Sequence, residues 1–280
     1  SLVLAIGGIG MLITGTPLAW VIEHGSWRIG FVVLGVASLA GWLAVILLVR
    51  EPVRAMARRE TLGEAFRRLG PILAERHTLG IVALGATTYA TFIAVRGLWA
   101  VPLLVDRHHF SLVASGHVML VVSLAALVGP LLFGLLSLAN RPRRFAIIAT
   151  TTVLIALASA LALPASAGFD IAMLILLGLV SGGLIFQYAD VRSAYGTEVQ
   201  GRALAVFNMS VFLGVALMQW LTGVAASTAI AHQFDPMMAA MGTAALMLTL
   251  SLVAFIVLPW PVATTSRSAS AGRTSSTVPW

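Results

Sequence analysis

The residues of this sequence that could do chemistry are the few polar side chains within long apolar stretches. Arg96 lies in such a stretch, and Tyr89, Phe92 and Trp99 recur around it at helical spacing, which places all four on one face. A guanidinium binds a carboxylate through two parallel hydrogen bonds, so this face could bind an organic anion. Alternatively, an arginine near the end of an apolar helix extends its charge to water beside a tryptophan. The sequence leaves both interpretations open.

A second polar face lies in a later apolar stretch. Asn208 and Gln219 share it with Phe212, Val215 and Thr222. These amides could contact a bound solute, or they could form hydrogen bonds between neighbouring helices.

Gln187 and Tyr188 end the preceding stretch. They could close a gate there or anchor the chain at an interface, and the sequence does not separate the two roles.

His117 is the only histidine well inside an apolar stretch. Its imidazole could relay protons, because histidine titrates near neutral pH. It could instead bond a neighbouring backbone group or face an outer vestibule. All ten carboxylates lie in loops or at the ends of the stretches, so a proton-coupling acid is expected outside this sequence, or proton coupling is absent.

The chain offers little for metal binding or catalysis. It has no cysteine, which excludes thiolate metal sites and cysteine nucleophiles. No histidine pair has metal-ligand spacing, no acids pair within an apolar stretch, and no glycine-flanked serine elbow occurs. We therefore expect no metal, no cofactor and no enzymatic activity.

Composition indicates that the solvent of this chain is lipid. Apolar residues make up 59% of 280 and charged residues 10%, against about 25% charged in ordinary soluble domains. Mean hydropathy is +1.00. The net charge of +7 comes from arginines in the connections, so it indicates membrane topology rather than nucleic-acid binding.

Eight segments are long and apolar enough to cross a bilayer as helices. They are residues 2–22, 28–49, 78–104, 113–138, 145–164, 170–189, 203–225 and 237–258. Alternate connections then carry 14 arginines on one side and two on the other. By the positive-inside rule the arginine-rich side is cytoplasmic, and the C-terminus lies there too.

Residues 50–77 form the longest connection between the predicted spans. Leu62, Phe66, Leu69 and Leu73 repeat at helical spacing, which predicts an interfacial helix, although a solvated linker is the alternative. The Ser/Thr-rich residues 261–280 are expected to form a disordered tail. Ser1 opens almost directly into an apolar span, and we expect the chain to be truncated at its N-terminus.

Three motifs resemble bacterial permeases of the major facilitator superfamily. Gly15-Thr16-Pro17-Leu18-Ala19-Trp20 with Ser26-Trp27-Arg28 and Phe31 resembles helices 5 and 6. Arg96-Gly97-Leu98-Trp99-Ala100-Val101-Pro102-Leu103-Leu104 with Asp106 resembles helix 7. Gly201-Arg202-Ala203, Asn208 and Leu217-Met218-Gln219-Trp220-Leu221-Thr222-Gly223 resemble helix 11.

The resemblance implies an all-α integral membrane bundle in which helices 1 to 4 of the family are missing. Residues 1–49 would end the N-terminal half, 50–77 would form the central loop, and 78–260 would form the C-terminal six-helix half. The implied function is secondary transport of a small organic solute by alternating access in a bacterial inner membrane, with a proton as candidate coupling ion. A non-transporting scaffold or sensor, or an intramembrane enzyme, remains the alternative.

Overall fold

Long helices form the described part of the chain. The computed structural model describes residues 20–22, 25–49, 70, 75–136 and 143–258, and in these ranges it contains helices and no strands. Seven helices are long and apolar enough to cross a membrane. We label the elements α1 (Trp27–Leu48), α2 (Arg76–Arg107), α3 (Leu112–Leu136), α4 (Arg143–Ala162), α5 (Ala167–Ser181), α6 (Leu184–Ala194), α7 (Thr197–Ala231) and α8 (Pro236–Val257).

Seven of the eight predicted spans are confirmed as helices, with α5 and α6 together forming one span. Their ends fall within a few residues of the predicted ends, except that α7 extends by six residues at each end. The span predicted at 2–22 lies outside the described residues apart from Trp20–Ile22. The helix predicted around Leu62–Leu73 lies outside them apart from Gly70, and the tail at 261–280 lies outside them entirely.

Short polar side chains begin several of these helices. The Ser26 hydroxyl accepts a hydrogen bond from the Ile29 backbone at the start of α1, and Ser166 does the same for Phe169 at the start of α5. Asp235 accepts from the Met237 and Met238 backbones at the start of α8. These caps satisfy backbone groups that a helix leaves open at its first turn.

The helices from α2 to α8 form a packed bundle with α2 near its centre. α2 packs mainly against α7 and α8, while α3 packs against α5 and α4 against α8. α1 is different, because only Gly30 is buried along its length. An apolar helix with exposed side chains all round is what lipid surroundings permit and water does not.

Small residues allow the closest approaches between helices. A Cβ on Gly178 would lie 2.7 Å from the Val122 carbonyl oxygen, and a Cβ on Gly182 would collide with the backbone of Gly129. Gly178 and Gly182 therefore allow α5 to approach α3 more closely than larger residues would. On the other side of the bundle Gly214 of α7 meets the backbone of Ala86 on α2 in the same way.

The two ends of the bundle differ in charge. The arginine-rich end contains the starts of α2, α4 and α7 and the ends of α3, α6 and α8. There Arg143 donates to the Ala189 carbonyl and the Ser193 hydroxyl, and Arg144 donates to the Ile256 carbonyl at 2.9 Å. Both arginines thus bond the last turns of helices, where the backbone dipole favours a cation. We call the other end the opposite end.

α2 is regular up to Ala94 and then widens twice. π-helical turns occupy Val95–Trp99 and Leu103–Arg107, with Ala100–Pro102 between them. Pro102 explains the disturbance, because proline lacks the N–H that would bond the preceding turn and its ring crowds the carbonyl there. π turns are rare and occur often at functional sites.

Candidate functional site

The first π turn of α2 positions Arg96 against α3. The Arg96 Nε and Nη2 atoms donate to the Ser123 hydroxyl at 3.0 and 2.9 Å. Ser123 is buried, and its hydroxyl donates to the Met119 carbonyl. Arg96 itself is half-buried. A buried hydroxyl thus fixes one edge of the guanidinium, and the side chain is held inside the bundle instead of extending freely along the helix.

Trp99 links the same turn to α7. Its indole Nε1 donates to the Thr222 hydroxyl at 3.0 Å, and Thr222 is buried and donates in turn to the Met218 carbonyl. A Cβ built on Gly97 would lie 3.9 Å from the Gln219 Nε2 atom. The structure therefore brings three of the predicted site residues, Arg96, Trp99 and Gln219, to one level of the bundle.

Tyr89 and Phe92 lie on the turns of α2 that precede Arg96. The half-buried Tyr89 hydroxyl is close enough to Arg96 for an electrostatic interaction between them. Its ring centroid lies 6.4 Å from that of Phe92. Phe92 is only 1% exposed and belongs to the core between the helices. Of the four residues predicted on this face, Phe92 therefore packs in the core behind the face and is not exposed on it.

Asn208 extends the polar face towards the arginine-rich end. It is exposed on α7, and its Oδ1 atom accepts a hydrogen bond from the Tyr188 hydroxyl at 2.8 Å. The Tyr188 ring packs edge-on against Phe207, with centroids 4.9 Å apart. Tyr188 and Tyr89 are also within electrostatic reach of each other. Polar groups therefore run from the exposed Asn208 through the half-buried Tyr188 and Tyr89 to Arg96.

Gln187 and His117 are not part of this polar face. Gln187 is buried, and its Nε2 atom donates to the Thr88 hydroxyl at 3.1 Å, which makes it a bridge between α6 and α2. His117 is exposed near the start of α3, and no described hydrogen bond involves it. The sequence could not identify Ser123, because nothing in its spacing separates it from the serines that bond only their own helix.

Arg96 lies farther from the ends of its helix than the carboxylates of the described residues do from theirs. These acids lie near helix ends: Glu75, Asp106, Asp170, Asp190 and Asp235. In a medium of low dielectric constant the field of Arg96 is weakly screened.

The opposite end holds a charged cluster that the sequence did not predict. Asp170 is completely buried at the start of α5. Its Oδ2 atom lies 2.7 Å from His108 Nε2 and 3.4 Å from Arg107 Nη1. Arg107 also reaches Asp235 at 3.4 Å and donates to the Leu163 carbonyl. Arg107 therefore joins α2 to α5, to α8 and to the connection after α4.

The arginine-rich end holds a second buried pair. His77 Nε2 on α2 lies 3.3 Å from Asp190 Oδ2 on α6, with the two side chains 7% and 1% exposed. The two atoms lack the alignment of a directed hydrogen bond, so the contact is electrostatic. Beside it the Tyr195 hydroxyl hydrogen-bonds Thr78. Tyr195 lies between two spans, and burial, helped by Glu75 and Asp190, raises its pKa despite that hydrogen bond.

Comparison with known proteins adds one match. The model of the family described as Major Facilitator Superfamily matches residues 1–219, more than three quarters of the chain. The match includes every candidate residue named above from Tyr89 to Gln219. No curated protein matches the sequence.

Proposed function

This chain belongs to the Major Facilitator Superfamily, and from that premise we propose that it carries a small organic anion across the membrane by alternating access. The family consists of membrane transporters, and the seven apolar helices make this chain a multi-pass membrane protein. The nature of the solute is the new element of the proposal.

Arg96 is the observation that supports an anionic solute. It is half-buried on a π turn, held by Ser123, and flanked by Tyr89 and Trp99. A guanidinium fixed along one edge is pre-organised, so less entropy is lost when it binds a carboxylate.

The proposed architecture assigns the six spans within residues 78–260 to one half of the transporter and residues 1–49 to the other, with 50–77 as the central loop. Rocking of the two halves would expose the Arg96 face to each side in turn. We place the arginine-rich end and the C-terminus in the cytoplasm of a bacterium, because positive charge accumulates on that side of an inner membrane. A proton is the proposed coupling ion.

Uptake into proteoliposomes tests the proposal. The product of the complete gene would be reconstituted and supplied with radiolabelled mono- and dicarboxylates, with and without an inward proton gradient. We expect Arg96→Ala to lower uptake at least about tenfold, since a hydrogen-bonded charge contributes about 1.5–3 kcal/mol. Arg96→Lys should restore only part of it, because lysine cannot bind a carboxylate through two parallel bonds.

Arg192→Gln is the matched control, because Arg192 is exposed at the arginine-rich end and away from this face. It should transport like the parent protein. Equal uptake by the parent protein and Arg96→Ala would show that the arginine does not bind the solute. Uptake of none of the carboxylates would reject the anion proposal itself.

A further inference from the structure

A histidine–aspartate pair joins the same two spans at both of their ends. At the arginine-rich end His77 of α2 faces Asp190 of α6 at 3.3 Å. At the opposite end His108, which directly follows α2, faces Asp170 of α5 at 2.7 Å. Since α5 and α6 form one span, the two pairs tie one pair of helices together at its two ends.

The two pairs differ in the group that compensates the negative charge of the aspartate. Asp170 has a permanent cation beside it, because Arg107 Nη1 lies 3.4 Å away. Among the ion pairs of the described residues, Asp190 has only His77. An arginine stays charged at every physiological pH, whereas an imidazole is charged only when it holds a second proton. Compensation of Asp190 therefore depends on a proton.

The other charged groups that the structure describes at that end bond elsewhere, are exposed or, like the half-buried Arg202, form no ion pair with Asp190. Arg143 bonds the Ala189 carbonyl and Ser193, and Arg144 bonds the end of α8. Glu75, Arg76 and Arg192 are exposed. The Tyr195 phenol interacts electrostatically with Asp190, and burial raises its pKa further above the physiological range. None of these groups replaces the proton at a carboxylate that is 1% exposed.

We propose that the His77–Asp190 pair is the binding site of the coupling proton, an assignment that rests on the proposed transport function. With one proton shared, the pair is neutral overall and holds the end of α6 against the start of α2. When that proton leaves to water, the pair keeps one buried negative charge, which is costly in a low-dielectric site. Separation of the two helix ends then lets water solvate Asp190.

The pair acts on the solute site at a distance. His77 and Arg96 are 19 positions apart on one helix, which is about 28 Å at 1.5 Å per residue. The proton and the anion therefore do not meet, and their binding is linked through the movement of α2 against α6. This differs from a proton relay through His117.

Distances between two spin labels test this proposal without any transport assay. The chain has no cysteine, so Leu79→Cys on α2 and Gly196→Cys just after α6 give one defined label pair. Leu79 is exposed, and a side chain at Gly196 meets nothing within 4 Å. In proteoliposomes we expect the distance to lengthen by several ångströms as the pH rises from about 6 to about 9, across the range in which an imidazole loses its proton.

Two variants and one control decide the assignment. Asp190→Asn removes the charge and should keep the short distance at every pH, while His77→Gln should give the longer distance at a lower pH than the parent. His108→Gln, at the opposite end, should leave the response of the Leu79–Gly196 labels in place. An unchanged distance in the labelled parent, or an intact pH response in Asp190→Asn, would overturn the proposal.

These outcomes are independent of the solute. A pH response that depends on Asp190, found together with no carboxylate uptake, would leave the proton site standing and reject the proposed function. Carboxylate uptake without such a pH response would reject the proton site and leave the proposed transport function standing. Elution of each variant as a single species in detergent confirms that the comparison is between folded proteins.

Discussion

At the scale of single residues, the function proposed here depends on how Arg96 is held. Its guanidinium is bonded along one edge by Ser123, whose hydroxyl also bonds the Met119 carbonyl. Ser123 is thus a positioning residue, which acts on the solute only through the arginine. Such a residue should affect how tightly the solute binds more than how fast the loaded transporter turns over.

We expect Ser123→Ala to raise the KM for carboxylate uptake about three- to tenfold with little change in the maximal rate. The magnitude corresponds to roughly 1 kcal/mol for a neutral hydrogen-bond donor or acceptor. Initial rates over a range of solute concentrations measure it. Ser227→Ala is the control, because the Ser227 hydroxyl is exposed and bonds only the Gly223 carbonyl of its own helix. A similar KM in both variants would contradict the role given to Ser123.

Tyr195 gives a prediction about alkaline pH. Burial raises the pKa of its phenol above the ordinary value of 10.0, so the folded state prefers the neutral form. The stabilisation is present below pH 10 and is lost as the pH rises through the raised pKa. With three tyrosines in the chain, absorbance near 295 nm can resolve the individual titrations. We expect one absorbance transition above pH 10 that is absent in Tyr195→Phe. Complete ionisation of all three tyrosines by pH 10 would contradict this expectation.

At the scale of helices, the contact between α2 and α7 limits what Gly214 can become. A Cβ there would overlap the Ala86 backbone, and backbone cannot move aside as a flexible side chain can. We expect Gly214→Val to lower the free energy of unfolding by about 1–3 kcal/mol, as overpacking does. Gly223→Val is the matched control on the same helix, because a Cβ at Gly223 meets nothing within 4 Å. Thermal unfolding in detergent compares the two, and equal midpoints would contradict the expectation.

The helices also show where reasoning from sequence succeeds and where it ends. Hydropathy located the spans because an apolar helix in lipid needs only length and composition. Helical phase grouped Phe92 with Arg96, yet Phe92 is buried in the core, because phase gives relative direction and not the positions of neighbouring helices. The π turn at Val95–Trp99 further alters the phase after Ala94. The role of Gln187 could not be predicted from sequence either, because its hydrogen-bond partner Thr88 is 99 positions away in the chain.

At the scale of the molecule, the charged ends are the part that sequence predicted least. Position in the chain showed that Asp170 and Asp190 lie near span ends, but not that they are buried or paired with histidines. The antiparallel order of the spans was a usable signal, because it brings the ends of α2 to the same levels as the ends of α5 and α6. Pairing itself depends on which helices are neighbours, and that is a property of the packed bundle.

The orientation of the whole chain is open to direct measurement. Single cysteines at Gly196 and Phe234 place one label at each end of the bundle, and Phe234 is 73% exposed. With the arginine-rich end in the cytoplasm, a membrane-impermeant maleimide added to intact cells should label Phe234→Cys and not Gly196→Cys. Permeabilised cells should label both. The reverse pattern in intact cells would invert the proposed topology.

Arg107 has a consequence for how the protein is made. Its partners Asp170 and Asp235 follow it by 63 and 128 positions, so the ribosome delivers the cation well before either anion. The nascent chain must shelter this charge at the membrane surface until both later helices have inserted. Assembly of that end is therefore complete only after α8 has inserted, and a chain stopped before residue 235 would lack one of the two carboxylates that bind Arg107.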